Sequence, residues 1–206
     1  MIELFGTAAS RSSRVIWALE ELKLDYSHHP VDHRKGETRS DDFLLMSPNG
    51  RIPILRNGDD LLAQSMAINL YLASEFGPNS LFPAKSAIRA ACFEWTLWAA
   101  TEMEPHSGAR AVELQKPAEA QSKAVVERAN AGIEAALSFL EKRLAGKRYL
   151  AGEDFSLADL NAVGPIEYCQ RSKFDMSGWP VVTAWLDRCQ TRPAYVKAQA
   201  MRAAAI

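Results

Sequence analysis

The stretch from Ser47 to Ser65, SPNGRIPILRNGDDLLAQS, limits the fold more than any other part of the chain. Pro48-Asn49-Gly50 is turn chemistry. In the apolar run Ile52-Pro53-Ile54-Leu55 the proline has no N–H to give a ladder. It must stand at a strand start, an edge or a bend, and it is a site for a cis peptide bond. Asn57-Gly58-Asp59, between Ile54-Leu55 and Leu61-Leu62, signals a hairpin. Ser65 precedes the helical pattern Met66-Ala67-Ile68 and Leu70-Tyr71-Leu72, which makes it an N-cap candidate. A bend with open backbone groups beside a helix N-terminus suits a small anion or an extended peptide.

The residues before this stretch read as a βαβ unit. Ile2-Glu3-Leu4-Phe5 is a short strand closed by Gly6-Thr7. After the polar run Ala9-Ser10-Arg11-Ser12-Ser13, the apolar positions Val15, Ile16, Ala18, Leu19 and Leu22 fit one face of a helix. Tyr26 to Val31 is a second strand, Asp32 to Asp42 a polar loop, and Phe43-Leu44-Leu45 a short helix. The βαβ unit makes a parallel strand pair, and the later hairpin adds antiparallel strands.

Beyond Ser65 the pattern turns wholly helical. The first such helix runs to about Phe76, and Gly77-Pro78-Asn79-Ser80 begins a linker by composition. Ile88, Cys92, Trp95, Trp98 and Met103 recur at helical spacing until Pro105, which kinks or ends that helix. Glu119 to Leu144 reads as a long helix closed by Gly146. In DFSLADL, Ser156 and Asp159 form a capping box, with Phe155 stapled to Leu160. A helix through Trp185-Leu186 and a short one after Pro193 follow. The expected organisation is therefore an α/β domain over residues 1–78, a linker over 79–85 and an all-α helical domain over 86–206, with a ligand cleft between the domains.

Composition narrows the function. The 206 residues carry a formal charge of −1, with 48% hydrophobic and 24% charged residues, which is ordinary for a globular protein. No basic cluster is large enough to attract nucleic acid, and no apolar run approaches the roughly 18 residues that span a bilayer. The three cysteines, Cys92, Cys169 and Cys189, show neither a C-x-x-C nor a zinc spacing, so no metal is expected and they read as buried structural thiols. His28, His29 and His33 form no metal-like constellation either. With no secretory pattern in MIELF, the expected location is cytoplasmic.

Taken in order, TAASRSSRVIWALEEL, SPNGRIPIL, the QSMAI helix start and the DFSLADL cap resemble the cytosolic glutathione S-transferases, of the serine type found in bacterial, theta and phi members. The resemblance spans the full length. It implies a thioredoxin-like N-terminal domain with Pro53 as its cis-proline, an all-α C-terminal domain, glutathione as co-substrate, a detoxification role, and a homodimer.

The resemblance also implies a site. Ile52 would pair through its N–H and C=O with the backbone of glutathione, next to Pro53. Gln64 and Ser65 would hold the γ-glutamyl end at a helix N-terminus. Arg51 would meet the glycyl carboxylate. Relatives commonly carry a basic residue or His where this chain has Thr38, so Lys35 and His33 are the substitutes within the loop.

The thiol needs activation. A free thiol has a pKa of about 8.5, and lowering it by two units takes about 2.7 kcal/mol of preferential thiolate stabilisation. Serine-type relatives place a hydroxyl four residues before the arginine that begins the first helix's apolar pattern, which gives Ser10 here. Ser10 would donate to the sulfur, with Ser12 and Ser13 as rivals and Arg11 adding positive charge. Glu102 or Glu104 would meet the amine, and Trp98, Met103, His106 and Arg110, flanking Pro105, would line a site for an electrophilic small molecule.

The leading expectation is thus a glutathione transferase whose thiolate attacks an electrophile. The alternatives are a glutathione-dependent peroxidase, disulfide reductase or dehalogenase on the same scaffold, and a non-catalytic interaction module. No cysteine stands at the Ser10 position, which disfavours catalysis by a protein thiol.

Overall fold

The computed structural model describes residues 1–78 and 80–206; Asn79, at the start of the expected 79–85 linker, lies outside the described residues. Two compact units are present: Met1–Leu81 with Thr191–Ile206, and Phe82–Gln190. The final helical segment, expected within the helical domain, packs instead with the first unit.

The first unit is built on a four-stranded sheet of order β2-β1-β3-β4. Strands β1 (Ile2–Phe5) and β2 (Tyr26–His29) are parallel, while β3 (Ile54–Asn57) runs antiparallel to both β1 and β4 (Asp60–Ala63). The order follows from the connections. Helix α1 (Ser12–Glu21) supplies the crossover that a parallel pair requires, and β3 and β4 are joined by Gly58-Asp59, with Gly58 at φ +62°. Phe5, Ile54 and Phe43 of helix α2 (Asp41–Met46) form an apolar cluster, with Val31, Met46 and Ile52 packed against it.

Helix α1 buries Val15, Ile16, Ala18 and Leu19 fully, and it packs against α3 (Ser65–Phe76) and α9 (Pro193–Ala204). Burial of Ile16 or Leu19 contributes roughly 1.5–3 kcal/mol each relative to exposure. Polar contacts fix α9 in place. Arg192 grips Glu21 at 2.6 and 2.7 Å, Lys197 meets Glu20 at 2.7 Å, and Trp17 stands edge-on to Tyr195 with centroids 4.9 Å apart.

The second unit contains α4 (Ser86–Trp98), α5 (Glu104–Glu113), α6 (Lys123–Leu144), α7 (Leu157–Arg171) and α8 (Pro180–Gln190). Pro105 neither ends nor breaks the α4–α5 run. A π-helical turn over Ala99–Met103 widens the helix just ahead of the proline, where an α-helical carbonyl would lose its donor and clash with the ring. Helix α6 begins at Lys123, capped by Ser122, after a 3₁₀ turn over Ala118–Ala120.

The Ser156–Asp159 capping box is formed as expected. The Asp159 carboxylate is fully buried and accepts from Leu150 N at 2.9 Å, Ser156 N at 3.0 Å, Ser156 Oγ at 3.2 Å and Trp185 Nε1 at 2.8 Å. Burial pushes its pKa up, against the donors that favour its charged form. No helix among the described residues is long and apolar enough to cross a membrane.

Candidate active site

Two of the expected site residues, Ser12 and Ile52, meet at Gly6 in the first unit. This residue ends β1 with φ +135°, and a Cβ there would collide with Ser12 Oγ and lie 2.9 Å from Ile52 Cβ. Gly6 therefore lets the start of α1 and the bend before β3 close on the end of β1. The Ile52–Pro53 peptide is cis. Among the described residues, the Ile52 N–H and C=O have no hydrogen-bond partner, so both are open to an extended ligand.

The hydroxyls form a compact set. Ser10 Oγ lies 2.7 Å from Thr7 O, to which it donates, and 3.0 Å from Ser12 Oγ; it also accepts from Ser12 N at 3.1 Å. Ser10 is partly exposed, whereas Ser12 and Ser13 are buried. Ser13 Oγ is turned back onto Ser10 O at 3.0 Å. Of the three rivals, Ser10 is the one that is not buried, and its hydroxyl lies 3.0 Å from that of Ser12. The amides of the first turn of α1 are partly used by the loop itself, with Ser13 N on Ser10 O and Arg14 N on Arg11 O. Arg11 is exposed and occupies the N-cap of α1.

Ser65 is not the N-cap of α3 but its first helical residue. The cap is Gln64, whose C=O accepts from Ile68 N at 2.9 Å and whose backbone holds φ +71°, ψ 108°. A non-glycine residue in this region carries a backbone cost of about 1–3 kcal/mol, and such costs cluster at ligand sites. Among the described residues the Gln64 side chain, the Ser65 hydroxyl and the amides of Ser65 and Ala67 make no hydrogen bond. The β3–β4 register, Ile54 opposite Ala63, makes Pro53 and Gln64 leave the hairpin side by side.

Arg51 is exposed, next to the buried Gly50. The structure adds Arg39, which sequence reasoning left in a polar loop. A Cβ on Gly50 would stand 2.8 Å from Arg39 Nη1, so this guanidinium lies across the glycine next to Arg51. Among the described residues neither arginine side chain is ion-paired. The signal for Arg39 was its cationic charge one position after buried Thr38, ahead of the Ser40 cap of α2. Lys35 and His33 are exposed, and His33 sits 3.9 Å from Asp32.

The expected acceptor residues fare differently. Met103 is fully buried in the second unit and has no surface to offer a ligand. Trp98 is also a core residue, 5.2 Å from Trp95 and 6.4 Å from Phe139 between ring centroids. The His106 ring packs over Gly132 of α6 so closely that a Cβ there would overlap it. Trp98 and Met103 follow helical periodicity because they serve packing, while His106 is half-buried. Arg110 donates to Asn130 Oδ1 at 2.8 Å and Ser172 O at 2.6 Å, and it borders an open hollow of about 470 Å³ with Glu134, Phe174 and Trp179. Glu102 is exposed and Glu104 half-buried.

All three cysteines are buried and none is in a disulfide, and burial pushes the Cys169 thiol up to about 12. None suits a nucleophile's role. No group of side chains able to hold a metal ion occurs among the described residues.

Comparison with known proteins identifies the family. Residues 2–74 match the glutathione S-transferase N-terminal domain family and residues 103–193 the C-terminal domain family. The chain is 34% identical to glutathione S-transferase 3 of Zea mays, over 95% of this chain and 92% of that protein. It is 31% identical to the disulfide-bond oxidoreductase YfcG of Escherichia coli, over 94% and 92% of the two chains. The theta class glutathione S-transferase of Xanthomonas axonopodis pv. citri, solved with glutathione bound, superposes with a TM-score of 0.88 at 25% identity, covering 96% of each chain. The chain belongs to the glutathione S-transferase family of enzymes.

Proposed function

We propose that this enzyme binds glutathione on its first unit and joins the activated thiolate to an electrophilic small molecule. The observation that carries the reading is the partly exposed Ser10, whose hydroxyl lies 3.0 Å from that of the buried Ser12. On the same unit the Ile52 N–H and C=O, the Gln64 side chain and the Ser65 hydroxyl are without partners among the described residues. The backbone of Ile52 would pair with the tripeptide. Gln64, Ser65 and the open amides of α3 would take the γ-glutamyl carboxylate, and Arg39 with Arg51 the glycyl carboxylate.

When a thiol binds, Ser10 would turn its proton from Thr7 O to the sulfur. The Ser12 hydroxyl would then donate to Ser10 Oγ, which strengthens Ser10 as a donor. The thiol proton passes to solvent, the thiolate attacks the acceptor's electrophilic atom, a carbon–sulfur bond forms and the leaving group departs with its electron pair.

A disulfide reductase is the second reading, favoured by the likeness to the Escherichia coli disulfide-bond oxidoreductase. It uses the same thiolate, which would attack a sulfur instead of a carbon. A peroxidase or dehalogenase draws on that thiolate too. The buried, reduced cysteines favour a reducing, cytoplasmic setting, and family resemblance favours a homodimer with a detoxification role. Light scattering tests the dimer.

The deciding experiment titrates the ultraviolet absorbance of enzyme-bound glutathione thiolate in the parent, Ser10→Ala and Ser12→Ala, and runs each against an aryl halide, an organic hydroperoxide and a mixed disulfide. Ser10→Ala should raise the thiol pKa by about one to two units. An unchanged pKa in Ser10→Ala, with activity abolished in Ser12→Ala, sinks the assignment. The substrate panel separates conjugation from the other chemistries.

A further inference from the structure

The Ser10 carbonyl is held from three sides. Ser13 N reaches it at 3.2 Å and Ser13 Oγ at 3.0 Å, both from the adjacent turn of α1. The third donor, Arg202 Nη1 at 3.2 Å, comes from α9. It is a charged donor joining residues far apart in sequence, and it acts on the backbone of the residue whose hydroxyl would meet the sulfur.

The mounting of Arg202 is stiff. Helix α9 and its N-cap Arg192 are fixed to α1 by the Arg192–Glu21 and Lys197–Glu20 pairs and by Tyr195 on Trp17. Tyr26 closes the group: its hydroxyl bonds Glu20 at 3.0 Å and lies 3.9 Å from Met201 Sδ, one residue before Arg202. Further along, Arg34 Nη2 donates to Ala205 O at 3.3 Å. Helix α9 thus carries contacts on both sides of Arg202, and the guanidinium projects from a braced element onto a loop.

The Ser10 loop needs such a brace. Thr7 to Arg11 has no strand or helix ladder, and its hydrogen bonds are mostly short-range, such as Ser10 N to Thr7 O at 3.0 Å. A hydroxyl that lowers a thiol pKa must be held within a few tenths of an ångström of its place. We propose that Arg202 is a positioning residue for thiolate activation: by fixing the Ser10 carbonyl it fixes where the Ser10 hydroxyl points, so the C-terminal helix sets the reactivity of the bound thiol. The inference rests on the role given to Ser10 above.

The test uses the full-length protein as parent and as Arg202→Ala, Arg202→Gln, Arg202→Lys, Lys197→Ala and Ser10→Ala. Each is titrated for the bound-thiolate absorbance and for the pH profile of kcat/KM toward an aryl halide. Arg202→Ala should raise the thiol pKa and move the rising limb of the profile to higher pH. It should lower kcat/KM about tenfold while leaving the KM for glutathione within about twofold. Arg202→Lys and Arg202→Gln each keep a donor and should recover part of the loss. Lys197→Ala loosens α9 without touching the carbonyl, and should lower the melting temperature while leaving the thiol pKa in place. If Arg202→Ala keeps the parent's thiol pKa and profile and loses only thermal stability, the proposal is overturned and α9 is a simple brace. If Arg202→Ala is too unstable to assay, Arg202→Gln decides: a thiol pKa above the parent's supports the role of Arg202, and a parent-like one overturns it. If Ser10→Ala itself leaves the thiol pKa unmoved, the reading of Ser10 fails first, and this proposal with it.

Discussion

Gly6 lies against Ser12 so closely that a methyl group on the glycine would strike the serine hydroxyl. The same methyl would press on Ile52, 2.9 Å away at its Cβ, and Gly6 holds φ +135°, where a side chain is strained whatever the space. One small residue thus keeps the Ser12 hydroxyl and the bend at Ile52 in register. Gly6→Ala is expected to cost about 2–4 kcal/mol and to abolish glutathione binding. Urea unfolding and titration calorimetry check the two effects. Binding within twofold of the parent would show that the patch tolerates the displacement.

Gln64 joins backbone cost to an unengaged side chain. Gln64→Gly relieves a conformation that costs about 1–3 kcal/mol and gives back up to about 1 kcal/mol in unfolded-state entropy, so folding should be favoured or unchanged. Glutathione affinity should nevertheless fall, because the amide is gone. A variant both less stable and equally avid would show that the residue serves the fold.

Asp159 stands where four donors meet. Asp159→Ala leaves the amides of Leu150 and Ser156 and the indole of Trp185 buried without an acceptor, and should destabilise the chain by about 3–5 kcal/mol. Asp159→Asn keeps one acceptor oxygen and should lose less. Denaturant midpoints rank the three proteins, and a parent-like midpoint for the alanine variant contradicts the account.

Two helices meet at the His106–Gly132 contact. Replacing a helical glycine by alanine ordinarily gains up to about 1 kcal/mol, but here the new methyl enters an imidazole ring. Gly132→Ala should therefore be destabilising. With His106→Ala in the same chain the sign should reverse, and the double-mutant cycle should show a coupling above about 1 kcal/mol. Additive effects would place the ring elsewhere.

Asp32 gives a pH signature. Hydrogen bonds from the Arg34 guanidinium and amide hold its pKa down at about 2, from an ordinary 3.8. A depressed carboxyl pKa contributes stability that is complete above the ordinary value and is lost as pH falls through the folded one. The difference in melting temperature between the parent and Asp32→Asn should thus shrink between pH 3.8 and about 2. A constant difference across that window would mean that the pairing does not favour the ionised form.

The sequence was most legible where one local rule decided the outcome. The hairpin was readable from Asn57-Gly58-Asp59, and the capping box from Ser156 and Asp159. It was less legible where chemistry depended on a backbone angle or a distant partner. Ser65 looked like a cap because serine usually is one, but the turn at Gln64 moved the cap back by one residue. Trp98 and Met103 shared the periodicity of a binding face and a core face, and periodicity alone does not say which a helix presents. The placement of Arg39 against Gly50 and of Arg202 on the Ser10 carbonyl depends on closures between segments that no spacing encodes.

The association of α9 with α1 also bears on how the chain is made. Phe82–Gln190 lie between the two parts of the first unit, so a ribosome releases the sheet and α1 well before the helix that covers Trp17 and braces Ser10. The nascent first unit must wait with an apolar flank of α1 uncovered while the second unit is synthesised. A gene fragment ending at Leu81 would encode the strands of this enzyme but not its finished first unit, and cutting the chain before Thr191 would expose the same flank in the mature protein.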